Sequence, residues 1–300
     1  MKKIAILMST YNGQEYIKDQ LNSILNQQDV KLYLYIRDDG SGDNTVEIIK
    51  QYMSKHDNIF LYTGNNIGYK KSFMELVYMV DEFDYYAFAD QDDIWESNKI
   101  KEAIKKLECY NEPALYYSMM TQVDKEMNIM EEQQKPKSPL SKEMVLFQNF
   151  VQGSTIVFNN PLHSILLKYR PEFDISHDIW IPCVATYLGK VIFDERSFIK
   201  YRRHESAVTE IMKKPYCKNI IEKVIKKEKV DNMAIYLLEG YENMLSNRDK
   251  ELLKKVAFYD KKIGNLLYCL INKKIRKYTI KGSILLKLSF ICGRIEKINV

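Results

Sequence analysis

Three carboxylates lie within four residues, directly after a short apolar run. Asp90, Asp92 and Asp93 follow the segment 85–89, which has the composition of a buried strand in a parallel sheet. Like charges this close repel one another and are more easily kept when a cation lies between them. Carboxylate oxygens suit Mg²⁺ or Mn²⁺, and Mg²⁺ often takes only one or two carboxylates plus substrate phosphates. The spacing indicates a metal-diphosphate site; the alternative is a solvated acidic turn in which Asp93 caps the next helix.

Elements that alternate between strand and helix must position these acids. Strands are predicted at residues 3–9, 30–36, 59–62 and 85–89, and a helical pattern follows each of them. This alternation is typical of a doubly wound, parallel sheet, in which ligands bind at the carboxyl edge. The first two strands end at Thr10-Tyr11 and at Asp38-Asp39. Because no G-x-G-x-x-G follows the first strand, the pattern argues against a dehydrogenase and weakens a nucleotidyltransferase interpretation.

Two later groups of polar residues have the right chemistry for the same site. Asp178 precedes the apolar helical stretch 179–188, where it either caps the helix or faces the cleft as a base, and capping is the more common role. Arg202, Arg203 and His204 form a basic cluster that suits a diphosphate, because guanidinium groups bind phosphate bidentately and imidazole ligates metals. A solvated basic turn explains this cluster equally well.

The composition indicates a folded chain with a strongly basic end. Of the 300 residues 46% are hydrophobic, and the net charge is +5. Residues 251–300 contain twelve Lys or Arg and three Asp or Glu, so they carry +9 and the first 250 residues carry −4. The five cysteines are widely spaced and are expected to be reduced thiols, and no apolar run is long enough for a signal peptide or a membrane span. We therefore expect a cytoplasmic protein, at most at the inner face of the cell membrane.

The basic end leaves two interpretations open. Residues 263–293 mix long apolar side chains with lysines, as in helices that lie in a bilayer interface. The alternative is a set of helices packed on the preceding domain with their lysines in water. Aliphatic rather than aromatic interleaving argues against nucleic acid as the partner. Residues 128–138 are polar and are predicted to form an exposed, flexible loop.

Six motifs in order carry a family resemblance. They are Thr10-Tyr11-Asn12, Arg37-Asp38-Asp39-Gly40-Ser41-Gly42-Asp43-Asn44-Thr45, Asn66-Ile67-Gly68, Asp90-Gln91-Asp92-Asp93-Ile94-Trp95, His177-Asp178 and Tyr201-Arg202-Arg203-His204. Over residues 3–210 the chain resembles a family 2 inverting glycosyltransferase of the GT-A fold, and is most similar to bacterial rhamnosyltransferases of cell-wall and capsular polysaccharide synthesis. The resemblance implies an α/β fold with a Rossmann-like, mostly parallel sheet flanked by helices. It implies a GT-A domain at residues 1–210 and a basic helical C-terminal region at 211–300.

The resemblance also implies a role for each motif. Asp178 would be the general base, and Asp92 and His204 would ligate the metal, Mg²⁺ or Mn²⁺. The donor would be bound by Thr10, Tyr11, Asp38, Asp39, Asp90, Arg202 and Arg203, with Asp90 nearer the ribose.

The activity implied is transfer of a sugar for surface polysaccharide synthesis. The donor would be a nucleotide sugar, dTDP-L-rhamnose or a UDP-sugar, and the acceptor a saccharide, free or lipid-linked. Peripheral membrane contact through the C-terminal helices is one of the two interpretations that their basic, amphipathic composition leaves open. A rival interpretation from another class is a noncatalytic scaffold at the membrane that binds carbohydrate or nucleotide sugar.

Overall fold

Eleven strands and eleven α-helices lie in the described parts of the computed structural model, residues 1–132, 140–172, 175–203 and 230–296. The strands are β1 Lys3–Thr10, β2 Lys31–Asp38, β3 Ile59–Thr63, β4 Tyr85–Ala89, β5 Ile94–Trp95, β6 Ala114–Val123, β7 Ile129–Glu132, β8 Val157–Asn159, β9 Lys190–Arg202, β10 Val230–Asp231 and β11 Ile295–Glu296. The helices are α1 Ile17–Leu25, α2 Thr45–Met53, α3 Tyr69–Met79, α4 Lys99–Leu107, α5 Lys142–Val145, α6 Asn160–Leu166, α7 His177–Leu188, α8 Met233–Tyr241, α9 Asn247–Ala257, α10 Ile263–Ile271 and α11 Ile280–Ile291.

Nine strands form one sheet in the order β3-β2-β1-β4-β8-β6-β9-β5, with β7 added to β6. The first four strands of this order are parallel, so the carboxyl ends of β1, β2 and β4 meet at one edge. Strand β8 then runs antiparallel to both β4 and β6, and β6 pairs with β9 in parallel. The predicted α/β sheet is confirmed, and its parallel half carries the acidic motif.

Helices cover both faces of the sheet because successive residues of its strands are apolar and point alternately to the two faces. In β1, Ile4 and Ile6 belong to one hydrophobic cluster, to which α1, α2 and α4 contribute. Ala5 and Leu7 point to the other face and belong to a second cluster that includes residues of α3, α6 and α7. The strand is therefore buried on both sides, as expected of a parallel sheet.

The C-terminal helices pack on the sheet domain. Residues of α8, α9, α10 and α11 belong to the same hydrophobic cluster as α3 and α7. Phe290 of α11 is buried, and its ring packs edge-on against Phe147 at 5.6 Å and against Tyr259 at 5.0 Å. Among the described residues, no helix is both long enough and apolar enough to cross a membrane. The proposed boundary at residue 210 lies outside the described residues.

The loop prediction and the helix-cap alternative for Asp93 both fail because the segments concerned pair as strands. The flexible loop predicted at 128–138 begins with β7, which pairs with the edge of β6; Asn128 N donates to Asp124 Oδ1 at 2.9 Å in the hairpin turn. Residues 133–139 lie outside the described residues. Asp93 does not cap a helix, because α4 begins only at Lys99 and β5 lies between them, paired with β9.

Replacing Phe290 with alanine should destabilise the whole protein. Loss of a buried phenylalanine costs about 3–5 kcal/mol of unfolding free energy. The matched control is its neighbour Ile291, which is exposed and whose change to alanine should shift that free energy by less than about 0.5 kcal/mol. Urea unfolding followed by circular dichroism measures both variants. Equal unfolding midpoints for Phe290→Ala and wild type would show that the C-terminal helices are not part of the hydrophobic core.

Candidate functional site

The candidate site lies where three parallel strands end. Thr10 ends β1 and pairs in register with Asp38, the last residue of β2. Strand β4, on the other side of β1, ends at Ala89, and the segment Asp90-Gln91-Asp92-Asp93 follows. The structure therefore brings the first, second and fourth predicted motifs to one edge of the sheet, where α/β folds bind ligands.

Asp38 holds the loop that follows β2. Its carboxylate accepts hydrogen bonds from Thr10 Oγ1 at 2.9 Å, from Ser41 N at 2.9 Å and Ser41 Oγ at 2.6 Å, and from Gly40 N at 3.2 Å. Gly40 has φ +83°, a conformation that favours glycine. Both Thr10 and Asp38 are buried, so these hydrogen bonds hold the loop after β2 against the end of β1.

Asp39 ties β2 to the turn before α3. The buried carboxylate accepts from Ile67 N at 2.9 Å and from Gly68 N at 2.8 Å, and it forms an ion pair with Arg37 at 2.5 Å. These contacts place the Asn66-Ile67-Gly68 motif at the same edge. Gly68, at φ +82°, precedes the first residue of α3, Tyr69.

Gln91 is a contact residue that the sequence did not reveal. Its side-chain amide accepts from Tyr11 N at 2.9 Å and donates to Tyr11 O at 3.0 Å, so it joins the loops after β1 and β4. A Cβ on Gly13 would lie 2.3 Å from Gln91 Oε1, which explains the glycine there. The ring of Tyr11 remains exposed. The one feature of the sequence that could have pointed to Gln91 is its position between two acids, Asp90 and Asp92.

Asp90, Asp92 and Asp178 interact electrostatically at this edge. Burial first, and then the negative charges of Asp92 and Asp178, raise the pKa of Asp90 to about 7. The buried Ser154 hydroxyl opposes the shift. The structure therefore unites the acid after β4 with the acid at the start of α7, which are 88 positions apart in the chain.

Asp93 is the most buried acid of the motif. Burial raises its pKa well above the ordinary value, and Asp90 and Asp92 act in the same direction. Arg202 N donates to Asp93 Oδ1 at 3.3 Å. Burial also lowers the pKa of Lys99 to about 7, against the charge of Asp93, and the Lys99 ammonium lies 3.8 Å from the centre of the Trp95 ring. Lys99 was not predicted, since it looked like an ordinary residue of an amphipathic helix.

Asp178 is the second residue of α7, and its side chain is held by Asn149. Asn149 Nδ2 donates to Asp178 Oδ2 at 2.9 Å, and Asn149 Oδ1 accepts from Val151 N at 3.0 Å, which fixes the amide. Ser176 is the residue before the helix, and it makes no side-chain capping bond. Asn149 was not predicted from the sequence, because no motif around it indicates a functional role.

His177, the residue before Asp178, packs its ring against two phenylalanine rings. Its ring centre lies 4.2 Å from that of Phe73 and 4.4 Å from that of Phe88. Burial lowers its pKa to about 4, against the charge of Asp178, so the imidazole is neutral near pH 7. A Cβ on Gly153 would lie 2.2 Å from His177 Nε2, so the glycine makes room for the ring.

Arg202 lies beside the acids and contacts protein groups. Its side chain donates to Asp92 O at 3.0 Å, Lys125 O at 3.1 Å and Asp19 Oδ2 at 3.1 Å, and it stacks over the Tyr16 ring. These bonds fix the backbone of the acidic segment. The backbone N of Arg203 donates to Val123 O at 2.8 Å. His204 lies outside the described residues.

The acids fit a divalent cation that is shared with a ligand. Within the described ranges no three His, Cys, Asp or Glu side chains form a ready-made cage. Mg²⁺ needs no such cage, because it commonly uses one or two carboxylates and takes its other oxygens from water and phosphates. Burial and, after it, the negative charges of Asp92 and Asp178 raise the pKa of Asp90, and a cation between these carboxylates would offset both effects.

Known proteins resemble the chain in sequence and in fold. The family model for glycosyl transferase family 2 matches residues 5–159. The dTDP-rhamnosyl transferase RfbG of Shigella flexneri is 40% identical over 120 residues, which are 37% of this chain and 42% of RfbG, so less than half of that relative is matched.

Solved structures confirm the predicted GT-A fold. S. aureus TarS residues 1–349 in complex with UDP-GlcNAc superpose with a TM-score of 0.59 at 18% identity, over 91% of this chain and 77% of that one. The mannosyltransferase PcManGT from Pyrobaculum calidifontis, in complex with GDP-Man and Mn²⁺, has a TM-score of 0.50 at 12% identity, over 97% of this chain and 75% of that one.

The titration of Asp90 predicts a pH-dependent effect of its replacement. The folded protein keeps a proton on Asp90 up to about pH 7, whereas the unfolded chain loses it near 3.8, so this stabilising contribution falls as the pH rises through that window. Asp90→Asn cannot titrate. Between about pH 5 and pH 8, without metal, the unfolding free energy of Asp90→Asn relative to wild type should rise by about 2 kcal/mol.

Urea unfolding at several pH values measures this difference. The matched control is Asp29→Asn, because Asp29 is exposed and its ion pair with Lys101, at 2.6 Å, lies at the surface. Its difference from wild type should stay constant over the same range. A pH-independent difference for Asp90→Asn would contradict the electrostatic description of the cluster.

Proposed function

Because the chain belongs to glycosyl transferase family 2, we propose that it is a metal-dependent inverting glycosyltransferase that moves L-rhamnose from dTDP-rhamnose to a saccharide or lipid-linked acceptor. The observation that carries this proposal is the electrostatic coupling of Asp90, Asp92 and Asp178 at the carboxyl edge of the sheet. The likeness to RfbG supports rhamnose as the donor sugar. A UDP-sugar is the alternative donor, supported by the likeness to TarS with UDP-GlcNAc. The product belongs to a surface polysaccharide.

The acids after β4 bind the diphosphate end of the donor. Asp92 and His204 would hold Mg²⁺ or Mn²⁺, and Asp90 would approach the ribose. A cation held there would supply positive charge that stabilises the departing nucleoside diphosphate. Arg202 keeps the acidic segment in position through its bond to Asp92 O, and Arg203 contributes positive charge near the phosphates.

The loops after β1 and β2 bind the nucleoside. Tyr11, whose ring is exposed and whose backbone is clamped by Gln91, borders the base together with Thr10. Asp38 and Asp39 set the shape of the pocket for base and ribose through the loop and turn they hold. The internal hydrogen bonds of these buried acids support a rigid pocket, which lowers the entropy lost on binding.

Asp178 is the general base. The acceptor hydroxyl oxygen attacks the anomeric carbon and its proton passes to Asp178, while the bond from that carbon to the diphosphate oxygen breaks and its electron pair leaves with the diphosphate. Inversion requires the base on the face opposite the leaving group. The bond from Asn149 to Asp178 Oδ2 orients the carboxylate, and Oδ1 takes the proton. The enzyme works in the cytoplasm, at the inner face of the cell membrane.

Replacing either of the two central acids should abolish transfer. Asp178→Asn should lower turnover by about 10²–10⁴, because the amide cannot accept the proton, while donor affinity stays near wild type. Asp92→Asn should lower turnover and also metal-dependent donor binding. Asp29→Asn, an exposed change, is the matched control and should stay within about twofold. Product formation and calorimetry with Mg²⁺ or Mn²⁺ measure both quantities.

Nearly unchanged turnover in both site variants would remove the mechanism. A wild-type chain that binds donor in calorimetry but transfers sugar to no acceptor in a broad panel would instead support the rival scaffold.

A donor screen by thermal unfolding should single out dTDP-rhamnose when metal is present. At a hundredfold excess over its dissociation constant, a ligand that binds only the folded chain adds about 2.7 kcal/mol of stability. Chelation with EDTA should remove most of this effect, since the proposed site shares the metal with the diphosphate. A larger stabilisation by a UDP-sugar would change the donor assignment, and the absence of any effect from all nucleotide sugars would contradict the proposed function.

A further inference from the structure

The last two helices each leave a stripe of aliphatic side chains exposed. The stripe recurs every three or four residues, so it covers one face of each helix. On α10 it consists of Ile263, Leu267 and Ile271, and on α11 of Ile280, Ile284, Leu288 and Ile291. The exposed fractions are as high as 73% at Ile271 and 83% at Ile280, which flank the connection between the helices. Contiguous exposed aliphatic groups of this kind mark an interaction surface.

The opposite faces of both helices are firmly packed. Cys269, Leu286 and Phe290 are buried in the core, and Ile275 anchors the connection. Lys287 of α11 donates through Nζ to the carbonyl oxygen of Cys269 at 2.5 Å and to that of Asn272 at 3.0 Å, near the end of α10. Because these contacts fix the helices, the stripes cannot turn inward without unpacking the core.

The segment that carries the stripes is strongly basic. Residues 261–296 contain nine Lys or Arg and one acid, Glu296. Lys273, Lys274 and Arg276 are exposed on the connection, directly between Ile271 and Ile280. An apolar face bordered by cations complements a bilayer interface with anionic headgroups. A second copy of the chain fits less well, because it would bring the same positive charge to the contact.

We infer that α10, α11 and their connection bind an anionic lipid surface. The stripe residues enter the boundary between headgroups and acyl chains, and the basic connection contacts the headgroups. This inference agrees with a lipid-linked acceptor in the proposed function but does not need sugar transfer. Vesicle binding and turnover are measured separately, so the failure of one is distinguishable from the failure of the other.

Sedimentation of the full chain with vesicles tests the inference. Vesicles of phosphatidylcholine alone are compared with vesicles that also contain about one third phosphatidylglycerol, and the wild type should prefer the anionic ones. Ile271→Ser with Ile280→Ser should weaken that binding by at least about tenfold, because two aliphatic insertions are lost. Ile129→Ser with Met130→Ser is the matched control, since both residues are exposed apolar side chains on β7, and its binding should equal wild type.

A charge variant tests the contribution of the basic connection between α10 and α11. Lys273→Gln, Lys274→Gln and Arg276→Gln together should weaken binding to anionic vesicles by about fivefold per residue, with a smaller effect on neutral vesicles. All variants alter exposed positions, so their unfolding midpoints should match wild type.

Two results would overturn the inference. One is equal sedimentation of wild type and the Ile271→Ser, Ile280→Ser variant. The other is a lipid-free dimer, measured by sedimentation equilibrium, that this variant abolishes while the wild type ignores vesicles; the stripes would then belong to a contact between copies.

Discussion

Repulsion among carboxylates is the constraint on which the site depends. Two negative charges about 4 Å apart in a medium of effective dielectric 20 cost about 4 kcal/mol. The folded chain gathers Asp90, Asp92, Asp93 and Asp178 at one end of the sheet, and the raised pKa of Asp90 reflects both its burial and this crowding. Without a metal, a proton on Asp90 reduces this repulsion. In the proposed function a divalent cation and a diphosphate relieve it instead, so metal binding would release protons.

The surrounding structure keeps these acids from moving apart. Gln91 clamps the segment to the loop after β1, and Arg202 bonds to the carbonyl oxygen of Asp92 and, through its own backbone, to Asp93. Asn149 holds Asp178 through a hydrogen bond to its carboxylate. Such polar contacts on rigid strand and helix ends preorganise a site, which is more effective than placing charges on loops that are free to relax.

The sequence predicted the parallel half of the sheet and the location of the acids well, because both depend on local pattern. Apolar runs that end in polar residues give the strands, and the acids after β4 follow directly from them. The sequence could not reveal the antiparallel insertion of β8 between β4 and β6, or the pairing of β5 with β9, since these contacts join distant segments. The alternative interpretation of Asp93 as a helix cap failed for this reason: β5 is only two residues long and exists because of its distant partner.

The residues that support the acids could not be predicted from the sequence either. Gln91, Asn149, Ser154 and Lys99 are common residue types whose importance comes only from their neighbours in the fold. Arg202 was predicted to bind the donor, but its contacts with carbonyl oxygens and with Asp19 join distant segments and could not be predicted from local sequence. The two interpretations of the basic end are compatible in the structure, because α10 and α11 each pack one face on the core and expose an aliphatic stripe on the other.

A crystal structure of the full chain with Mn²⁺ and dTDP, with manganese located by its anomalous scattering, tests the central claim most directly. The account predicts one Mn²⁺ ion within bonding distance of an Asp92 carboxylate oxygen and of both phosphates, with Asp178 facing the open side of the diphosphate. Manganese bound elsewhere, or a nucleotide away from the edge formed by β1, β2 and β4, would contradict it.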